Sequence, residues 1–195
     1  PRESTALSRI LDKTYTCTKY LTNVMTNEMG RINQNMKPVY IGVDYEDFDS
    51  DKVKIENYPE ITKYENKYKD KKIILFLARI SEEKRPLFIV HVLKKICEER
   101  KDTILFVVGD GPELKDMKKL AEKLGLIDNI IFFGMQKDAK PFYKLAHVQI
   151  IASLTEGLTL TTYESLSMET PVVTADVGGQ KELVDETCGK VVQNI

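Results

Sequence analysis

From residue 72 onward, short apolar runs alternate with longer amphipathic stretches, and this alternation most constrains what the chain can fold into. The stretch Lys72–Arg79 contains six consecutive apolar residues, which is typical of a strand buried on both faces of a sheet. Strands that alternate with helices require right-handed crossovers and a parallel sheet covered on both sides. The pattern therefore predicts an α/β fold, a doubly wound Rossmann-like parallel sheet. Its predicted strands are Lys72–Arg79, Thr103–Val108, Asn129–Gly134, Val148–Ala152, Pro171–Thr174 and Gly189–Gln193.

Helices are expected between these strands. Pro86 suits the first position of a helix, because proline lacks the N–H that would be unpaired there. The further predicted helices are Glu113–Leu124, Lys140–Ala146, one from Gly157 to about Met168, and Gln180–Val184.

The first 70 residues have a different, weaker pattern. We expect helices at Ala6–Ile10 and Lys19–Met29 around a short strand at Thr14–Thr18. A brief strand is predicted at Val39–Ile41, and a polar surface helix at Pro59–Lys69. Because residue 1 is proline and no signal peptide follows it, the chain is interpreted as a fragment of a longer protein.

Composition excludes several classes of protein. With 42% hydrophobic residues the chain can bury a core, and a net charge of −1 lacks the basic surplus of a nucleic-acid binder. No apolar stretch reaches the 18 residues of a membrane span. Cys17, Cys97 and Cys188 are widely spaced, and they are expected to be reduced thiols of a cytosolic protein.

The loops that follow the strands are the places to look for a ligand site. Arg79 and Lys84 lie in one such loop, where a guanidinium fork and an ammonium could grip a diphosphate. Glu82 and Glu83 lie between them, so a solvated charged turn is the alternative, and the loop taken alone favours it.

A second loop carries two glutamates. Glu156 precedes Gly157 at the expected helix entrance, and Glu164 follows eight residues later. Glycine permits close backbone approach, and free N–H groups at a helix start attract anions. The two carboxylates could accept hydrogen bonds from sugar or ribose hydroxyls. The alternative is an acid that favours the helix dipole together with an ordinary surface glutamate.

Other motifs are interpreted as structural. Gly109-Asp110-Gly111 begins like a dinucleotide fingerprint, but Leu114 occupies the third glycine position, which favours a tight turn. The acidic run Asp47–Asp51 lacks the glycine and distal glutamate of a calcium loop, so we expect a solvated loop and no metal site. His91 and His147 have no companion ligands and are expected to be structural.

Taken in order, these pieces resemble the C-terminal domain of the group 1 (family 4) retaining glycosyltransferases, which have the GT-B architecture. The pairing of Glu156 and Glu164 with the upstream Arg79 and Lys84 is the strongest joint feature. The remaining similar motifs are Gly42-Val43-Asp44, Val108-Gly109-Asp110-Gly111-Pro112, Phe133-Gly134, Pro171-Val172-Val173 and Gly178-Gly179 with Glu182.

The resemblance implies a nucleotide-diphospho-sugar donor and no metal cofactor. By that analogy Arg79 and Lys84 neutralise the diphosphate, Glu156 contacts the transferred sugar, and Glu164 binds the ribose. It also implies that one loop faces the base and that one backbone stretch cradles a phosphate. Those two sets are Gly134, Met135 and Gln136 for the base, and the backbone amides of Leu158, Thr159 and Leu160 for the phosphate, with Gly157 as the donor-binding residue that allows the backbone to approach closely.

The resemblance also implies a domain plan. Residues 1–45 would be the end of an N-terminal acceptor domain with the interdomain crossing, 46–71 a linker with a surface helix, and 72–195 the nucleotide-sugar-binding domain. The implied activity is retaining transfer of a hexose to a saccharide or lipid-linked acceptor, as in polysaccharide or cell-envelope biosynthesis. The implied location is cytoplasmic, at the inner membrane face where the missing domain makes peripheral contact. The fragment alone is expected to be inactive, and a non-catalytic nucleotide-sugar-binding subunit is the alternative function.

Two features depart from the family pattern. Glu169 stands where the family usually has glycine after the helix, which predicts an altered helix exit before Pro171. Thr159, Thr161 and Thr162 replace apolar or glycine positions within the glutamate motif, which predicts a shifted preference for the donor sugar.

Overall fold

A parallel six-stranded sheet dominates the protein, whose computed structural model describes residues 13–28 and 36–193. The strands are β1 (Thr14–Thr16), β2 (Met36–Pro38), β3 (Lys72–Leu77), β4 (Thr103–Val108), β5 (Ile130–Gly134), β6 (Val148–Ile151), β7 (Val172–Ala175) and β8 (Gly189–Val192). The helices are α1 (Lys19–Asn23), α2 (Pro59–Lys67), α3 (Pro86–Glu99), α4 (Leu114–Lys123), α5 (Lys140–Leu145) and α6 (Leu160–Ser167).

The strand order of the large sheet is β5-β4-β3-β6-β7-β8, and every neighbouring pair is parallel. The chain starts in the middle at β3, runs outward to β5, and then returns to place β6 on the other side of β3. Strand order therefore reverses between β3 and β6, and such a switch point leaves a crevice outside the carboxyl ends of the strands. The predicted doubly wound α/β fold is confirmed.

Burial on both faces explains why these strands read as continuous apolar runs. All six residues of β4 are buried. Leu105 and Val107 face a cluster built with α3 and α4, whereas Ile104 and Phe106 face a cluster built with α2 and α5. Successive side chains of a strand point to opposite faces, so a sheet covered on both sides needs apolar residues at every position.

Two predicted helices of the large sheet's domain differ from the structure. The helix expected from Gly157 begins at Leu160, because the Gly157 carbonyl accepts the Gly179 N–H at 3.0 Å and is held in the loop. The helix expected at Gln180–Val184 is a 3₁₀ turn over Gln180–Glu182. Asp185 then accepts the Gly189 N–H at 2.9 Å on its carbonyl, which turns the chain into β8.

The leading segment differs more from expectation. β1 pairs in parallel with β2, and the predicted strand Val39–Ile41 is wrong because those residues cross the surface, with Val39 54% exposed. Thr18 does not extend β1, since its hydroxyl caps α1 by accepting the Leu21 N–H at 3.0 Å. The predicted helix Lys19–Met29 divides into α1 and a π-helical turn over Val24–Glu28. The predicted helix Ala6–Ile10 lies outside the described residues.

One side chain of the large sheet's domain holds this leading segment. The Glu182 carboxylate accepts the backbone N–H groups of Lys19 at 2.9 Å and Tyr20 at 2.7 Å, and the Tyr40 hydroxyl at 2.5 Å. Burial raises the pKa of Glu182, but these hydrogen bonds outweigh it, so the net pKa lies below its usual value. Within the described ranges, no helix has the length and apolarity needed to cross a membrane.

Candidate active site

A cleft opens at the switch point, outside the carboxyl ends of β3, β4 and β5. Its larger cavity has a volume of about 740 Å³. The floor is formed by the end of β3 and the loop after β4, and one wall by the loop after β5. The lining residues are Leu77, Ala78, Arg79, Val108, Gly109, Asp110, Gly111, Met135, Gln136, Ala139 and Thr161.

A smaller cavity of about 180 Å³ adjoins the larger one on the β6 side. The two cavities share Leu77, Ala78, Arg79 and Thr161 as lining residues. Arg79 therefore lies where the two cavities adjoin.

The smaller cavity contains a tightly held ion pair. Lys84 Nζ lies 2.6 Å from Glu156 Oε1, and the side chains are only 20% and 9% exposed. The Ser153 hydroxyl donates to the same carboxylate oxygen at 2.6 Å. A cation and an anion that the sequence assigned to different parts of a ligand are thus bound to each other.

Backbone contacts bring this pair together across 72 residues of chain. The Leu154 N–H donates to the Glu83 carbonyl at 2.8 Å, which fastens the loop after β6 to the turn that carries Lys84. Gly178 packs against the Glu156 carbonyl at a φ of +58°, where a Cβ would collide with that carbonyl. Only glycine fits such a close approach in a left-handed conformation.

Arg79 is exposed, and its side chain forms no hydrogen bond or ion pair with the described part of the chain. The loop below it is rigid because glycines pack backbone against backbone. Gly109, at a φ of +133°, lies against the Ala78 carbonyl, and Gly111 lies against the Ile80 carbonyl. The turn predicted at Gly109-Asp110-Gly111 therefore serves as the floor of the cleft.

Glu164 lies on α6 one turn after Thr161, which lines both cavities. Residues three apart on a helix share a face, so Glu164 is directed to the same side as Thr161. Its Oε2 accepts a hydrogen bond from the Tyr143 hydroxyl at 2.7 Å. Burial first, and the Glu164 carboxylate second, strongly raise the pKa of Tyr143, which keeps its hydroxyl protonated.

The loop after β5 forms the outer wall. Met135 is 80% exposed, and the Gln136 amide donates to the Phe133 carbonyl at 2.8 Å. Gly134 adopts a φ of +67° and its carbonyl accepts the Gly109 N–H at 2.8 Å. This contact fixes the distance between the wall and the floor.

Not every predicted donor-binding residue reaches the cleft. Thr159 lines the smaller cavity, but Gly134, Gly157, Leu158, Leu160 and Glu164 line neither. A Cβ at Gly157 would lie 3.7 Å from Leu21 and 3.8 Å from Cys17, which are ordinary contact distances. Gly157 thus faces the leading segment, and close approach to a ligand is not what its position requires.

Comparison with known proteins decides the family. Residues 57–193 match the family described as "Glycosyl transferases group 1". The chain belongs to the group 1 glycosyltransferases. This glycosyltransferase chain is 32% identical over 145 residues to the alpha-monoglucosyldiacylglycerol synthase of Streptococcus pneumoniae, covering 73% of this chain and 33% of that protein.

Solved structures share the fold. HepE from Anabaena, in complex with UDP, has a TM-score of 0.82 and 19% identity, with 95% of this chain and 51% of that chain covered. A glycosyltransferase from Rickettsia africae has a TM-score of 0.80 and 22% identity, covering 93% and 49%. This glycosyltransferase chain therefore spans about half the length of these structures and a third of the curated relative, which agrees with the C-terminal half of a GT-B fold.

The acidic run is occupied by protein contacts. Asp47 pairs with Lys140 at 2.7 Å, and Lys144 donates to the Ser50 hydroxyl at 3.0 Å. Among the described residues, no group of three or more His, Cys, Asp or Glu side chains is arranged to hold a metal. His147 has a structural contact, since its Nδ1 accepts the Ile73 N–H at 3.2 Å.

The sequence did not single out two side chains at the glycosyltransferase site: Ser153, which lines the smaller cavity, and Tyr143, which is buried behind Glu164. Ser153 stands three residues before Glu156, and that position was the available signal. No sequence signal pointed to Tyr143, because an aromatic residue on a short amphipathic helix is normally an ordinary core residue.

Proposed function

We propose that the cleft binds a nucleotide-diphospho-sugar and that the protein transfers the sugar, with retention at the anomeric carbon, to a saccharide or lipid-linked acceptor. The observation that carries this proposal is the position of Arg79 at the junction of two cavities. On one side of the junction lies the Lys84–Glu156 pair, and on the other lies the larger, mostly apolar cavity, which is lined by Thr161, one helical turn before Glu164.

In this proposal the base and ribose occupy the larger cavity. The base lies along Met135 and Gln136, and the ribose hydroxyls bind Glu164. The diphosphate then spans the junction at Arg79 and Lys84, which places the sugar in the smaller cavity beside Glu156. The proposed order of base, diphosphate and sugar is supported by the lining residues: Met135 and Gln136 line the larger cavity, Arg79 lines both, and Lys84 and Glu156 line the smaller one.

The proposed chemistry is charge stabilisation of the leaving group. As the bond from the sugar to the diphosphate breaks, negative charge develops on the diphosphate oxygens. A guanidinium and an ammonium held next to those oxygens stabilise that charge without reorganising, which is an effective form of catalysis in a cleft. We propose that Arg79 and Lys84 supply this charge and that donor binding needs no metal ion.

We propose further that the chain is the donor half of a two-domain enzyme. Residues 1–45 would end the preceding acceptor domain, 46–71 link the two, and 72–195 bind the donor. The acceptor would bind the preceding domain, so the chain alone would bind donor without turnover. A cytoplasmic enzyme at the inner membrane face is supported by a relative named as a monoglucosyldiacylglycerol synthase, a name that includes a lipid.

The test is calorimetric titration of UDP into the wild-type protein and the Arg79→Ala/Lys84→Ala variant. Charge-assisted contacts contribute about 1.5–3 kcal/mol each, so we expect at least a tenfold loss of affinity. The matched control is Lys95→Ala/Lys123→Ala, which also removes two exposed cations. They lie near the C-terminal ends of α3 and α4, at the opposite edge of the sheet from the cleft.

The control variant should bind UDP as the wild type does, and adding EDTA should leave the wild-type affinity unchanged. Equal affinity in the Arg79→Ala/Lys84→Ala variant, with its circular dichroism intact, would rule out the assignment of both cations. A loss in EDTA that Mg²⁺ restores would contradict metal-independent binding.

A further inference from the structure

Tyr143 stands out because it is completely buried and yet carries a polar hydroxyl. It lies on α5 within the apolar cluster on the α2 side of the sheet, beside Phe142 and Met168. A buried hydroxyl without a partner is costly, so its hydrogen bond must be accounted for. The Thr161 carbonyl is 3.5 Å away, at the limit of a hydrogen bond, whereas Glu164 Oε2 is 2.7 Å away. Glu164 is therefore the effective partner.

The contact is asymmetric within the Glu164 carboxylate. Oε2 accepts the Tyr143 hydroxyl, and Oε1 has no hydrogen-bond partner within the described part of the chain. A carboxylate with one oxygen held by a rigid donor has one orientation, and its second oxygen is directed to a single place. A glutamate that lacks such a donor populates several rotamers and loses that freedom when it binds.

A second hydrogen bond fixes the backbone of Tyr143. The Thr170 hydroxyl donates to the Tyr143 carbonyl at 2.9 Å, which fastens α5 to the turn that follows α6. Tyr143 on α5 and Glu164 on α6 are thus held at a constant separation by a second hydrogen bond between the same two regions.

We infer that Tyr143 is a positioning residue: it holds Oε2 of Glu164 so that Oε1 accepts a ribose hydroxyl, and thereby makes the cleft select ribonucleotides over deoxyribonucleotides. This inference rests on the proposed function, which assigns the ribose to Glu164. It goes beyond that function because it assigns the selectivity for ribose over deoxyribose to Tyr143, a residue that does not touch the nucleotide.

The test compares UDP with 2′,3′-dideoxyuridine diphosphate in calorimetric titrations of the wild type, Tyr143→Phe and Glu164→Gln. Tyr143→Phe keeps the ring and removes the hydroxyl. We expect it to weaken UDP binding about fivefold, the effect of one net hydrogen bond. Binding of the dideoxy analogue should stay within twofold, so the preference for ribose falls.

Phe142→Leu is the matched control, because it disturbs the same buried cluster next to Tyr143 without touching the hydrogen bond. It should lower the melting temperature and leave the preference for ribose unchanged. A preference that falls equally in Phe142→Leu would mean that Tyr143 acts through packing alone, which would overturn the inference.

The remaining outcomes separate the inference from the proposed function. If Glu164→Gln abolishes the preference while Tyr143→Phe retains it, the proposed ribose contact stands and the positioning role is wrong. If the wild type binds UDP and the dideoxy analogue equally, or binds neither, the ribose assignment of the proposed function is itself wrong, and the inference falls with it.

Discussion

Replacing Glu156 by glutamine should tighten the binding of UDP, although Glu156 is a proposed site residue. The carboxylate lies 2.6 Å from the Lys84 ammonium, and both side chains are largely buried. A diphosphate that arrives at Lys84 meets an ammonium already bound to an anion. Glutamine has the same shape and can still accept one hydrogen bond, but it removes the negative charge.

The magnitude follows from the geometry. An ammonium has three donors, so Lys84 can bind both anions, each at about 2.6–2.8 Å, which puts their oxygens at most about 5.5 Å apart. Two unit charges at that distance repel by about 3 kcal/mol at an effective dielectric constant of 20. Lys84 and solvent offset most of this repulsion. We expect a net gain of about 1 kcal/mol in Glu156→Gln, which is about fivefold tighter binding of UDP.

Calorimetric titration of UDP measures this directly, with Ser153→Ala as the control. Ser153→Ala removes a neutral donor from the same carboxylate oxygen and keeps the charge, so its UDP affinity should stay within twofold of the wild type. A weaker affinity for UDP in Glu156→Gln, in a protein that is still folded, would refute the reasoning. It would mean that Glu156 matters more for orienting Lys84 than for repelling the diphosphate.

Two further predictions concern stability. Glu169 adopts a φ of +61° at the exit of α6, and its side chain is exposed. Glycine relieves the left-handed strain, which gains about 1–2 kcal/mol, but its greater freedom in the unfolded chain costs about 0.5–1 kcal/mol. Glu169→Gly should therefore raise the free energy of unfolding, measured by urea denaturation, by about 0.5–1 kcal/mol. An unchanged or lower urea midpoint would contradict this. The lowered pKa of Glu182 means that its contribution to stability is complete above its unfolded pKa of about 4.3 and is lost as the pH falls through the folded value. The wild type should therefore lose more melting temperature than Glu182→Gln between pH 6 and pH 3, and parallel pH profiles would show that Glu182 does not hold the leading segment.

The sequence predicts the large sheet well because its signal is local and repeated. Each buried strand is a continuous apolar run, as in Lys72–Leu77 and Thr103–Val108, and each is followed by an amphipathic helix. The leading segment has elements of three to five residues, which are too short for periodicity to place. Val39–Ile41 shows the consequence: three apolar or aromatic residues satisfy a strand pattern, yet β2 ends one residue earlier, at Pro38, although the Val39 N–H still donates to the Thr16 carbonyl of β1 at 2.7 Å.

The candidate site divides in the same way. Arg79, Lys84, Glu156 and Glu164 could be selected from residue type and from their position after strands and glycines. Their partners could not, because partnership depends on which loops the strand order brings together. Lys84 and Glu156 meet across 72 residues since β6 returns to the side of β3, and Tyr143 meets Glu164 since α5 and α6 cover the same face.

The residue order by itself determined that the chain forms a doubly wound sheet and which charged side chains follow the carboxyl ends of its strands. Hydrophobic periodicity and glycine placement are properties of neighbouring residues, so they can be seen in one dimension. Only the tertiary structure decided that the proposed diphosphate cation is already paired, that a buried tyrosine hydroxyl orients the second glutamate, and that Glu182 holds the leading segment. Each of these is a contact between residues more than 20 positions apart, and its existence depends on packing distances that no local pattern contains.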